Sequence, residues 1–121
     1  MTTTGPDFIA LQVRDVAASA AFYERHLGLV RQAGPPSAAV FDTKPAAFAV
    51  RPPMPGIDLD AVPLLGHGVS LWMHATDVQA IHDGLVAAGV EIVAAPTEGP
   101  FGLQCTFADP DGYRITLHDR A

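Results

Sequence analysis

Apolar residues alternate along residues 8–13 (FIALQV), with Ile9, Leu11 and Val13 on one face, which predicts a strand. Asp15 follows as a helix N-cap, because its carboxylate can accept from the unpaired amides of a first turn. The next stretch, VAASAAFYERHL, places Val16, Ala20, Tyr23 and Leu27 at helical spacing. Gly28 stands where a left-handed C-terminal residue is wanted. Three short strands are predicted after it, at 29–32, 37–41 and 46–51, with turn residues at 34–36 and 42–45 between them. The second half reads the same way. Residues 69–75 (VSLWMHA) form a strand, and T-D-V-Q from Thr76 to Gln79 reads as a capping box. The helix runs to about residue 88, and Gly89 closes it. Strands are predicted at 90–93, 103–108 and 113–118, the last two joined by an Asp109-Pro110-Asp111-Gly112 turn.

The order is strand, helix and three strands, twice over. Residues 51–67 join the halves and carry four of the eleven prolines, so this segment is expected to be extended rather than helical. The boundaries are repeat one at about 7–51, a linker at 52–67 and repeat two at about 68–119, within one domain spanning 1–121. A chain of 121 residues leaves no room for a second ordinary core.

Composition narrows the function classes. Hydrophobic residues make up 49% and charged residues 17%, enough apolar material for a packed core. The net charge is −6 and Lys44 is the only lysine, which argues against nucleic acid as a partner. An acidic chain favours neutral or cationic ligands. One cysteine, Cys105, excludes an internal disulfide and a cysteine-rich zinc cluster. No run reaches the roughly 18 apolar residues of a membrane span, and the polar start lacks a signal-peptide core. The expectation is a cytoplasmic protein with no membrane partner.

Two stretches, VRDVAASAAFYERHLGL at 13–29 and FADPDGYRITL at 107–117, give the chain a resemblance to the vicinal-oxygen-chelate superfamily. That group includes glyoxalase I, extradiol dioxygenases, fosfomycin-inactivating enzymes, and bleomycin and mitomycin resistance proteins. The resemblance covers nearly all of residues 7–119. It implies an α+β fold in which two βαβββ repeats form curved mixed sheets around a pocket, and it implies a homodimer. In metal-dependent members one ligand comes from the first and last strand of each repeat. Those positions fall on Phe8, Ala49, Ser70 and Thr116, none of which offers an imidazole or a carboxylate. The expectation is no metal and no cofactor. A relocated site would have to draw on His67, His74 or His118.

Strand alternation then divides core from pocket. Ile9, Leu11, Val13, Leu71, Met73, Leu103, Cys105, Phe107, Ile115 and Leu117 are assigned to the core. Phe8, Gln12, Ala49, Arg51, Ser70, Trp72, His74, Gln104, Arg114, Thr116 and His118 are the candidate ligand-binding residues, with Ala10, Ala47 and Thr106 sharing their faces. Trp72 has two readings: a large core aromatic, or a pocket wall, which its neighbours Leu71 and Met73 favour. His26 and His82 fall on helices and are expected to face solvent. Cys105 reads as a buried thiol rather than a nucleophile, and Asp109 and Asp111 as turn residues rather than an acid–base pair.

Two classes of function remain. One is a protein that sequesters an aromatic or cationic small molecule, similar to the metal-free drug-binding resistance proteins, with no catalytic residue. The other is a lyase, isomerase or dioxygenase-type enzyme with unusual metal ligands or with His74 and His118 in proton transfer. A third reading gives the pocket no small-molecule role. The proline-rich linker and residues 98–102 are the loops expected to set selectivity.

Overall fold

The computed structural model describes residues 2–120 and realises the doubled order. The first repeat comprises β1 (Phe8–Gln12), α1 (Val16–Leu27), β2 (Arg31–Gln32), β3 (Ala39–Phe41) and β4 (Ala47–Arg51). The second comprises β5 (Leu71–His74), α2 (Val78–Ala87), β6 (Ile92–Gly99), β7 (Gly102–Ala108) and β8 (Arg114–His118). The chain divides into two compact units, with the break after Ala61. Each unit holds one mixed four-stranded sheet, in the order β1-β4-β3-β2 in the first and β5-β8-β7-β6 in the second. In both, the first and last strands of the repeat pair in parallel and the rest are antiparallel. This is the α+β architecture expected from the sequence.

In the first unit α1 lies over β3 and β4. The Asp15 carboxylate accepts from the Ala18 amide at 3.0 Å, and Gly28 ends the helix in the left-handed region at φ 68°. The helix buries Ser19, Ala20 and Tyr23. The Tyr23 ring meets Phe48 at 5.0 Å and Phe41 at 6.4 Å, so one aromatic cluster joins helix to sheet. In the second unit α2 lies over β6 and β7 and buries Val78 and Leu85, while the sheet contributes Cys105, Phe107, Ile115 and Leu117 to the core.

Four local expectations are corrected. The capping box does not form: Asp77 is the N-cap without a side-chain bond, and Gln79 instead donates to Asp83 one turn on. The linker is not wholly extended, because Leu59–Ala61 makes one turn of 3₁₀ helix with Leu59 buried. Strand β6 runs to Gly99 rather than stopping at residue 93, and two register shifts, one on each side of Ala94, carry Pro96 within the strand. His26 and His82 are half-buried rather than solvent-facing. His26 packs on Phe22 at 4.9 Å, and its burial, with Arg25 beside it, lowers its pKa.

The β7–β8 turn is built around Asp109, which is only 5% exposed. Its Oδ1 accepts from the amides of Asp111 and Tyr113, both at 2.9 Å, and its carbonyl accepts from Gly112. Gly112 supplies the positive φ the turn needs, 94°. Removing that carboxyl strands two amides in a part-buried turn. Asp109→Ala is therefore expected to lower stability by about 1–3 kcal/mol in urea unfolding, and Asp109→Asn, which keeps an acceptor oxygen, by less.

Candidate functional site

Helix cover fixes which strand residues face away from each core. In the first unit the pairs Phe8–Ala47, Ala10–Ala49 and Gln12–Arg51 share the far face of the sheet, because Ile9, Phe48, Leu11 and Val50 occupy the face toward α1. Phe8 is 53% exposed. Ala49, by contrast, is 2% exposed, and its register partner Val40 is also buried. Gly34 lies close over Val40, where a Cβ would come within 2.6 Å of its Cγ2. The two polar residues of this face are tied to the following segment. The Gln12 Oε1 accepts from the Met54 amide at 2.8 Å, and Arg51 Nε donates to the Pro52 carbonyl at 3.1 Å.

In the second unit the far face carries Trp72 and His74 on β5, Arg114, Thr116 and His118 on β8, and Gln104 and Thr106 on β7. Ser70 lies one residue before β5 and is exposed. Trp72 is 41% exposed and so is no core residue. The Thr116 and Thr106 hydroxyls bond each other at 2.7 Å. The Gln104 carbonyl oxygen is buried without a hydrogen-bond partner, close to Gly99.

Four rings gather on this face. Trp72 meets His118 at 5.6 Å, and His118 meets its strand neighbour His74 at 5.8 Å. The fourth is Phe101, which the alternation pattern missed. It stands at the tip of the β6–β7 hairpin, 52% exposed, 5.7 Å from Trp72 and 6.2 Å from His118. A phenylalanine in a turn offered one clue, a large apolar side chain with no strand or helix face to bury it. The hairpin tip is held by the segment after β8. Asp119 Oδ1 accepts from the Leu103 amide at 2.9 Å, and the Arg120 amide donates to the Phe101 carbonyl at 3.0 Å. Gly102, at φ 86°, is obligatory there, since a Cβ would collide with Asp119.

The same peptide segment orients His118. Its Nδ1 lies 2.9 Å from the Arg120 carbonyl, which can only accept, so Nδ1 carries the hydrogen and the neutral ring keeps its lone pair on Nε2. A metal of the type held by four-strand ligand sets finds no fit. Phe8 and Ala49 have no donor atoms, Thr116 is paired with Thr106, and the described residues contain no group of three or more His, Cys, Asp or Glu side chains able to hold a metal ion. Cys105 faces the core, and burial raises its pKa.

Comparison with known proteins extends this picture. The model of the Glyoxalase/Bleomycin resistance protein/Dioxygenase superfamily matches residues 5–117. No curated protein matches the chain. Among solved structures, the antibiotic binding protein TnmS3 from Streptomyces sp. CB03234 is 24% identical, with a TM-score of 0.75 over 100% of this chain and 99% of that one. Protein ATC0852 from Agrobacterium tumefaciens is 26% identical, with a TM-score of 0.72 over 98% and 99% of the two chains. A glyoxalase-related enzyme from Fulvimarina pelagi is 22% identical, with a TM-score of 0.76 over 98% and 89%.

The orientation of Cys105 yields a direct check. A buried thiol with a raised pKa is a poor nucleophile. In native protein it should react with a disulfide reagent far more slowly than in urea-unfolded protein, and equal rates would place it outside the core.

Proposed function

The chain belongs to the Glyoxalase/Bleomycin resistance protein/Dioxygenase superfamily, and the positions expected to carry that group's metal ligands hold Phe8, Ala49, Ser70 and Thr116; we propose that it is a metal-independent protein that binds a small aromatic molecule and sequesters it. The observation that carries this reading is Trp72, the sole tryptophan, held half-exposed on a sheet face with Phe101 and His118 set edge-on around it. Leaving large aromatics in water forgoes the stability their burial would give, so a ligand that covers them gains that area. Stacking adds about 0.5–1.5 kcal/mol per aromatic pair. The description of TnmS3 as an antibiotic binding protein supports an antibiotic or other natural product as the ligand class. Gln104, Thr116, Arg114 and Ser70 supply polar contacts at the edges. In this reading the protein works as a cytoplasmic homodimer. No helix among the described residues is long and apolar enough to cross a membrane. Light scattering that returns the mass of one chain at micromolar concentration would rule out the dimer.

A second reading has one observation in its favour. His74 and His118 stand side by side on paired strands, and His118 offers a free Nε2 lone pair, as a proton acceptor in an enzyme would. Recovery of the bound molecule chemically unchanged distinguishes sequestration from conversion.

Two outcomes are expected. Zinc, nickel or manganese at low micromolar concentration should leave the melting temperature unchanged, because only a ligand present well above its Kd adds stability. Titration with planar aromatic natural products should quench or shift Trp72 emission for at least one class. Trp72→Ala should then weaken that binding by about tenfold or more while circular dichroism shows the fold retained. Undiminished binding by the variant would remove Trp72 from the site.

A further inference from the structure

The net charge of −6 suggests a cationic ligand, but the local chemistry of the Trp72 face points the other way. Among the described residues, no strand position on that face holds a carboxylate. Its one permanently charged side chain is Arg114, exposed and, among the described residues, without an ion-pair partner. The rings also form no cage. Trp72, Phe101 and His118 already touch one another, with centroids 5.6, 5.7 and 6.2 Å apart, so nothing the size of an ammonium group fits among them. What they offer is the exposed part of the Trp72 ring, edged by Phe101 and His118, for a flat molecule to cover.

Two polar groups bracket that ring along β8. His118 presents an Nε2 lone pair, because its Nδ1 hydrogen is spent on the Arg120 carbonyl. Arg114 lies four residues earlier on the same face, about 13 Å away at the strand rise of about 3.3 Å per residue. Thr116 sits between them, paired in register with Trp72. A planar ligand over Trp72 therefore meets a hydrogen-bond acceptor toward one end and a guanidinium toward the other.

We propose that the molecule held on this face is a planar aromatic acid or phenol rather than a cation. Its acidic group pairs with Arg114, and a hydroxyl donates to His118 Nε2. The inference rests on the ligand-binding reading above and names the charge class of the ligand.

The test is an NMR titration of the full chain with four flat probes: 2-naphthol, 2-naphthoate, 6-hydroxy-2-naphthoate and 2-naphthyltrimethylammonium. The Trp72 indole and His118 ring signals are followed. The hydroxynaphthoate should bind most tightly and the ammonium compound weakest, by about tenfold or more, the scale of a hydrogen bond to a charged group. Arg114→Gln should abolish the advantage of 2-naphthoate over 2-naphthol, and His118→Phe, which keeps a ring in place, should abolish the advantage of the hydroxyl. If the ammonium probe binds at Trp72 as tightly as the acids, the charge assignment is overturned while ligand binding at this face stands. If no probe moves the Trp72 signals, the binding reading fails and the inference with it.

Discussion

Each helix covers one face of its sheet, and that contact sets the parity of every strand beneath it. Tyr23 under α1 reaches Phe41 and Phe48, so residues in step with them on β1 and β4 turn inward and their neighbours turn away. Leu85 and Val78 do the same in the second unit, where α2 lies over β6 and β7 and Phe107, Ile115 and Leu117 are buried. Burying such a side chain is worth about 1.5–3 kcal/mol, and a one-residue slip would exchange the two faces wholesale. The ring cluster on the second sheet follows from this parity. Trp72, His74, Thr116 and His118 are displayed because Leu71, Met73, Ile115 and Leu117 are not.

The same parity explains what could be read from the sequence. Ile9, Leu11 and Val13 alternate with Phe8, Ala10 and Gln12, and period two needs no tertiary knowledge to decode. Asp15, Gly28 and the Asp109 turn were legible because their chemistry is local. The missing pieces depend on where distant backbone arrives. Gln79 fits a capping box by spacing, yet its amide finds Asp83. Phe101 belongs to a turn, and only the pairing of Arg120 with its carbonyl brings it to Trp72. Gln12 and Arg51 have the right parity for a site, but Met54 and Pro52 approach them through a segment whose path no periodicity encodes.

Charge shows the gap between composition and site. Several of the acidic residues that make the chain negative are occupied in structural roles: Asp15 caps a helix, Asp60 pairs with Arg14, Glu24 with Arg31, and Asp109 and Asp119 hold turns. A field summed over the chain steers approach at long range, whereas a bound molecule meets the few groups within contact distance.

The bulged course of β6 affects how the protein behaves in a crowded solution. β6 is the last strand of its sheet, and such a strand can recruit a strand from a neighbouring molecule through its unpaired backbone groups. Pro96 removes one donor from that row, and the two register shifts twist the rest out of line. Replacing Pro96 with a β-branched residue would straighten this border and turn a protected margin into a template for edge-to-edge aggregation.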